Sequence, residues 1–344
     1  MQLPLSINAV AELDEIMSRP SEALIEACKS WVGDIMLLGA GGKMGPSLAE
    51  LAKRAVTAAG SRKKIIAVSR FSNQVERRRL EAIGIETISC NLLEANELQQ
   101  LPEVENLIYL AGIKFGATGK AAETWAINTY LPGMVAQKFK NSRIVLFSTG
   151  NVYPLTPVKF GGCTEADPIN PVGEYAQSAL GRERIFEYFS RELNIPGVVI
   201  RLNYAIDLRY GILLDVAQKV FQRQSIDLSM GHVNVIWQGD ANAVVLRAFA
   251  MAQTPPAILN VTGPETVAIR QLAKKFGEIF QIEPVLENTE AETALLSNAS
   301  RCHQRFGYPA ISLQQMIEWV AHWVKIGGPT LAKPAHYETR DGRF

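Results

Sequence analysis

The stretch Gly39-Ala40-Gly41-Gly42-Lys43-Met44-Gly45 carries glycines at G-x-x-G-x-x-G spacing, through Gly39, Gly42 and Gly45. It follows a short apolar run, Ile35 to Leu38, and precedes an amphipathic stretch that begins at Ser47. A glycine turn between a strand and a helix is a phosphate cradle. The first glycine permits a tight turn, the second lets backbone approach a pyrophosphate, and the third lets helix and strand pack closely. The phosphates then rest on unpaired N–H groups at the positive end of the helix. A dinucleotide site is expected here, with Lys43 and Met44 inside the turn. The alternative for the same residues is an ordinary strand–helix turn of an α/β domain.

The next strand ends Ala67-Val68-Ser69-Arg70. NAD-binding domains usually place Asp or Glu there, to hold the ribose 2′-hydroxyl. Here the position offers Ser69 and Arg70. A carboxylate repels a 2′-phosphate, whereas an arginine pairs with it through charge-assisted, often bidentate bonds. Lys43 adds a second positive charge nearby. NADP is therefore expected ahead of NAD; with NAD, Arg70 faces solvent or stacks on the adenine. Asn91 and Leu92, after the third strand, are placed to flank the adenine. Leu110, Ala111 and Gly112, after the fourth, are small or apolar where backbone meets the cofactor.

These residues need a scaffold, and the hydrophobic pattern supplies one. Strands are expected at Ile35–Leu38, Ile65–Val68, Glu86–Ser89, Asn106–Leu110, Arg143–Ser148 and Gly197–Arg201. Helices are expected between them, at Ser47–Ala58, Gln74–Ala82, Ala121–Lys140 and Glu174–Leu193. Such alternation implies βαβ units and a parallel sheet covered on both faces. The fold class is α/β, a Rossmann-type doubly wound parallel sheet with a smaller C-terminal substrate-binding part. Residues 1–30 read as a helical extension, 31–202 as the nucleotide-binding domain with returning segments, 203–326 as the substrate-binding part and 327–344 as an extended tail. The extension is expected to cover an edge or contact a partner chain. The tail is read as a mobile end or an arm over another subunit.

Composition removes other classes. The formal net charge is +1, from 35 basic and 34 acidic residues, with the signs interspersed. Neither nucleic acid nor an anionic membrane is suggested. No apolar run reaches the length of a membrane span. The start, Met1-Gln2-Leu3-Pro4-Leu5, lacks the basic region and apolar core of a secretory signal. Cys28, Cys90, Cys163 and Cys302 are scattered without a C-x-x-C pair, which reads as reduced thiols in the cytoplasm. No histidine pair has metal-ligand spacing, so no metal is expected.

Further motifs extend the glycine turn. Asn128 lies in the fourth-to-fifth crossover; Phe147-Ser148-Thr149-Gly150-Asn151-Val152-Tyr153 ends a strand; Tyr175-Ala176-Gln177-Ser178-Ala179 opens a helix that continues to Arg182-Glu183. Val199 to Tyr204, Asn260 to Glu265 and Arg305 to Tyr308 follow. Together these make residues 34–325 resemble the extended short-chain dehydrogenase/reductase family, in its sugar-nucleotide epimerase/dehydratase group. The resemblance implies a small-molecule substrate and hydride transfer to or from a nicotinamide. It implies that Tyr175 gives or takes the hydroxyl proton and that Thr149, with Ser148 as its substitute, orients the carbonyl. It places Asn128 and Tyr175 among the cofactor contacts. It also implies a homodimer through the helices at Ala121–Lys140 and Glu174–Leu193.

The family's lysine, one helical turn after the tyrosine, is absent: Ala179 stands there. That lysine binds the nicotinamide ribose and lowers the tyrosine pKa. Arg182, seven residues after Tyr175, and Lys114, after the fourth strand, are the candidate replacements. Asn203, Arg209 and Arg223 are candidate contacts to an anionic substrate group, or else structural polar residues. Trp237 is read as packing. Two functions follow. One is an NAD(P)-dependent oxidoreductase or epimerase on a hydroxylated or keto, sugar-like substrate. The other is a catalytically impaired NAD(P)-binding protein, a sensor or assembly partner.

Overall fold

The computed structural model describes residues 3–114 and 119–343. The extreme ends of the N-terminal extension and of the tail, residues 1–2 and 344, lie outside the described residues. The centre is a seven-stranded, wholly parallel sheet. Its strands are β1 (Ile35–Leu38), β2 (Ile65–Ser69), β3 (Glu86–Ser89), β4 (Asn106–Tyr109), β5 (Arg143–Thr149), β6 (Gly197–Leu202) and β7 (Ala257–Val261). Their order across the sheet is β7-β6-β5-β4-β1-β2-β3. The chain works outward from β1 to one edge, returns to β4 beside β1, and continues to the other edge. The reversal lies between β1 and β4, where a crevice opens at the carboxyl ends of the strands. Register brings those ends level: Leu38 pairs with Val68 and Tyr109, and Thr149 with Leu202.

The strands read as continuous apolar runs because both faces are covered. Alternate residues point to opposite faces. Ile35, Leu37, Ile65, Ala67 and Val145 pack with the helices at Glu22–Ser30, Gly45–Ala58 and Gln238–Arg247. Met36, Leu38, Ile66, Leu107 and Leu146 pack on the other side with Leu131–Lys138 and with Phe186 of Gly173–Leu193.

A second core belongs to the C-terminal part. It holds Leu213, Val216, Trp237, Phe276, Trp319 and Trp323. The N-terminal extension bridges the two cores on its own chain. Leu13 and Met17 of the helix Val10–Met17 enter the second core, while Leu24 and Cys28 of Glu22–Ser30 enter the first. Arg54 ties them, donating to the carbonyl of Glu15 at 3.0 Å and to Ser18 Oγ at 2.8 Å.

The tail is pinned to its own chain as well. Leu331 N–H donates to the Arg209 carbonyl at 2.9 Å. Ala335 N–H donates to Asp215 Oδ2 at 2.7 Å. Tyr337 is 1% exposed, and Arg340 donates to the carbonyls of Ser229 and Thr293.

One expected helix is interrupted. The stretch from Ala121 runs as α-helix to Trp125, as a π-turn over Ala126–Tyr130, and as α-helix again over Leu131–Lys138. Pro132 accounts for it, since proline has no N–H to give to the carbonyl of Asn128 four residues back. Single-turn π-bulges are frequent at functional sites, and this one holds Asn128.

Candidate active site

The glycine turn is built as the cradle requires. Gly39 has φ +90, and a Cβ there would lie 2.6 Å from the amide nitrogen of Ala111. The turn after β1 and the loop after β4 therefore touch, and only glycine fits between them. Gly45 sits equally close to the backbone of Ala40, where a Cβ would meet the carbonyl oxygen at 2.2 Å. The helix Gly45–Ala58 carries proline in its first turn and no side-chain cap. Its first-turn N–H groups, together with the positive end of its dipole, fit a pyrophosphate. Ser69 ends β2, Arg70 follows it, and Asn91 and Leu92 come after β3 at the same ends of the strands; Arg70 is exposed and Leu92 buried.

Beyond the cradle lies a cavity of ≈ 230 Å³. Its wall includes Met44, Leu110, Gly112, Ser148, Thr149, Tyr175, Arg182 and Asn203. β5 ends at Thr149, whose hydroxyl accepts from Asn151 N–H at 3.2 Å and so caps a one-turn 3-10 helix, Gly150–Val152. Tyr175 lies in the first turn of the helix Gly173–Leu193. Burial pushes its phenol above the ordinary tyrosine range, while a hydrogen bond with Thr149 and the charge of Arg182 pull it back.

Ser148 is differently placed. Its hydroxyl donates to Glu183 Oε1 at 2.5 Å. Glu183 in turn takes a bidentate pair from Arg201, at 3.0 and 2.7 Å, and Arg201 also donates to the Tyr153 hydroxyl at 2.8 Å. Both charged groups are buried, so their mutual pairing is what makes their burial tolerable. Ser148 touches the cavity but is tied into this support.

Ala179 packs with Val152, Tyr153 and Cys163. Arg182 is what reaches the cavity wall. The residue is 6% exposed, and its guanidinium donates to the Asn128 carbonyl (Nε, 3.2 Å), the Phe147 carbonyl (Nη1, 2.8 Å) and Asn128 Oδ1 (Nη2, 2.7 Å). The first acceptor is the carbonyl to which Pro132, four residues on, has no N–H to give. Gly112 makes room, because a Cβ there would lie 2.5 Å from Arg182 Nη2. Asn128 completes the set: its Nδ2 donates to Ser178 Oγ at 2.9 Å, and Ser178 Oγ donates to the Tyr175 carbonyl at 2.9 Å. Asn128 therefore contacts both Arg182 and the tyrosine helix.

Lys43 does not accompany Arg70. Its ammonium donates to the Ala205 carbonyl at 2.8 Å and lies 3.7 Å from the ring centre of Tyr210, on the cavity wall. A long side chain lets the turn residue cross to the substrate side. Burial pushes its pKa down to about 7, against the opposing charge of Asp207. Lys114 also lines the cavity, 5.9 Å from the ring centres of Tyr175 and Tyr204, and burial pushes it down to about 8.

Of the candidate substrate residues, Asn203 lines the cavity, but Arg209 and Arg223 do not. Arg209 pairs with Asp207 at 2.8 Å and Asp14 at 3.0 Å, fastening the N-terminal helix. Arg223 follows the helix Ile212–Phe221 with φ +56, at an exposed turn. The residues that sequence reasoning missed are Tyr204, Tyr210 and Ala335, all on the wall. Tyr204 has φ 42, a left-handed backbone uncommon for a bulky residue. Tyr204 closes the Val199 to Tyr204 motif, whereas nothing in the local sequence signals Tyr210 or Ala335.

Among the described residues no group of His, Cys, Asp and Glu could hold a metal ion, and no helix is long and apolar enough to cross a membrane.

Comparison with solved structures finds the same fold. Pal from Bacillus thuringiensis superposes with TM-score 0.71 at 17% identity, covering 85% of this chain and 99% of that one. The UDP-glucuronic acid 4-epimerase from Bacillus cereus, in complex with UDP-glucuronic acid and NAD, gives 0.68 at 15%, over 85% and 99%. DesIV, a dTDP-glucose 4,6-dehydratase from Streptomyces venezuelae with NAD and TYD bound, gives 0.70 at 14%, over 85% and 97%. Comparison with curated protein sequences finds no match. Residues 35–206, half of the 344, match the NAD dependent epimerase/dehydratase family. With the cradle, the sheet order and that match in agreement, the chain belongs to the NAD dependent epimerase/dehydratase family, enzymes of the extended short-chain dehydrogenase/reductase type.

Proposed function

We propose that this protein oxidises or reduces a hydroxylated or keto, sugar-like substrate, with Tyr175 moving the hydroxyl proton. When bound, the nicotinamide dinucleotide supplies hydride exchange; the turn at Gly39, Gly42 and Gly45 and the first turn of its helix hold the phosphates. Thr149 orients the substrate oxygen. Arg182 supplies the positive charge that the family's lysine gives elsewhere, holding the phenol lower than burial alone would. Ser148 positions Glu183 and the strand end. The observation that carries this reading is that Tyr175, Thr149 and Arg182 share one cavity wall directly beyond the glycine cradle. A binding protein without turnover is the second reading, favoured by Ala179. Stopped-flow assay of hydride transfer after dinucleotide saturation separates them: saturable binding with no transfer to any polyol, keto compound or nucleotide sugar supports the second.

For the cofactor, we infer NADP ahead of NAD from Arg70 at the end of β2. The variant Arg70→Asp is expected to weaken NADP binding by about 10- to 100-fold, the worth of a charge-assisted pair, with NAD affinity little changed. An unaltered NADP/NAD ratio, read by titration of intrinsic fluorescence, rejects the assignment. Free, buried thiols at all four cysteines suit a reducing compartment and motivate a cytoplasmic location. Location of a tagged protein by fractionation tests it. We also infer a homodimer through the helices that expose Trp125, Tyr130 and Tyr188. Sedimentation velocity is expected to give twice the chain mass, and Tyr130→Glu with Tyr188→Glu a monomer. A parent protein that sediments at the chain mass refutes it.

A further inference from the structure

The cavity wall carries Lys43, Lys114 and Arg182 and, among its described residues, no aspartate or glutamate. The two acids whose charge acts on Lys43 are engaged by other groups. Asp207 takes the bidentate grip of Arg209, and Asp215 accepts the Ala335 amide. Arg182 is anchored to backbone carbonyls and Lys43 to the Ala205 carbonyl, and the two lysine amines lie on the cavity wall beside Tyr204, Tyr210 and Tyr175. A buried positive site of this kind stabilises an anion.

The cavity is also small. At ≈ 230 Å³ it falls below the range of pockets that bury drug-sized ligands. Ala335 forms part of its wall, and the tail that carries Ala335 is fixed at Leu331, Tyr337 and Arg340. The tail's end is fixed too: a Cβ on Gly173, two residues before Tyr175, would lie 2.4 Å from the Gly342 carbonyl oxygen. The tail thus covers the part of the wall that Ala335 forms, and its end lies against the start of the tyrosine helix.

We propose that the substrate is a compact hydroxy or keto acid, whose carboxylate is recognised by Lys43 and Lys114 beside the catalytic tyrosine, and not a nucleotide-linked sugar. This rests on the enzymatic reading above. Lys43 reads the acid from the glycine turn, so the residue that closes the cofactor cradle also selects the substrate. Burial chiefly, with the like charge of Lys114 adding to it, pushes Lys43 down. A bound carboxylate relieves both costs.

The test is calorimetry on the dinucleotide-saturated, full-length protein. The probes are aldonates of four to six carbons, the neutral polyols of the same lengths, UDP-glucose and UDP-glucuronate. Aldonates are expected to bind at least about 10-fold more tightly than the polyols, as a charge-assisted pair implies. Lys43→Met should lose about 10- to 100-fold in aldonate affinity while polyol binding stays as it was, and Lys43→Arg should retain most of it. Lys114→Met gives a second reading if Lys43→Met does not fold. Equal affinity for acid and polyol overturns the proposal, as does binding of no aldonate or tighter binding of either UDP-sugar. Failure to bind any dinucleotide removes the enzymatic reading along with it. Dinucleotide binding with turnover of a UDP-sugar removes the carboxylate assignment alone.

Discussion

Tyr175→Phe is expected to lower kcat by about 10²- to 10⁴-fold, the usual contribution of a positioned acid–base group, while dinucleotide binding persists. The change removes one oxygen. The ring keeps its place beside Lys114, and the helix Gly173–Leu193 keeps its buried face. What is lost is the phenol that hydrogen-bonds with Thr149 at the end of β5. The measurement is single-turnover hydride transfer, which excludes product release as the limiting event. Undiminished transfer removes Tyr175 from the chemistry and moves attention to Tyr204, which shares Lys114 with it.

Arg182→Met is expected to cost about 10²- to 10³-fold in kcat, comparable with loss of a preorganised electrostatic donor, and to cost stability too. The reason for the second effect is burial. Without the guanidinium, the Asn128 and Phe147 carbonyls and Asn128 Oδ1 each lose a donor in a buried setting, at about 1–3 kcal/mol for each group left unsatisfied. Stability alone therefore cannot identify the role, and pH dependence can. Burial raises the Tyr175 phenol, and the Arg182 charge opposes that rise. With the charge gone the phenol ionises at higher pH. For the oxidative direction, in which the ionised phenol accepts the proton, the ascending limb of log kcat/KM should move to higher pH. Arg182→Lys keeps a charge but cannot span separate carbonyls with a planar fork; it should restore the limb in part while remaining less stable than the parent. An unshifted limb in Arg182→Met assigns the residue to packing of Asn128 alone.

What the sequence determined by itself is local. Four apolar residues, a run of glycines and a helix with proline in its first turn specify β1, the cradle and the helix after it, because each follows from the backbone freedom of consecutive residues. Alternation of such units specifies the parallel sheet. The vacancy at Ala179 was equally legible, since residues four apart on a helix share a face.

What only the tertiary structure decided is where the long side chains and the chain ends go. Arg182 reaches the wall because the Asn128 carbonyl, which Pro132 cannot serve as an i+4 donor, accepts from it and Gly112, on another loop, has no side chain to block it. Lys43 finds its acceptor 162 residues away, at Ala205. Arg209, which reads either as a substrate contact or as a structural polar residue, is consumed by Asp207 and Asp14. The tail, which reads as an arm for another subunit, buries Tyr337 in its own chain. Side chains with several rotatable bonds take their direction from whatever the close-packed fold leaves open around them. The elements were therefore written in the order of the residues, and the charge and size of the cavity only in how those elements met.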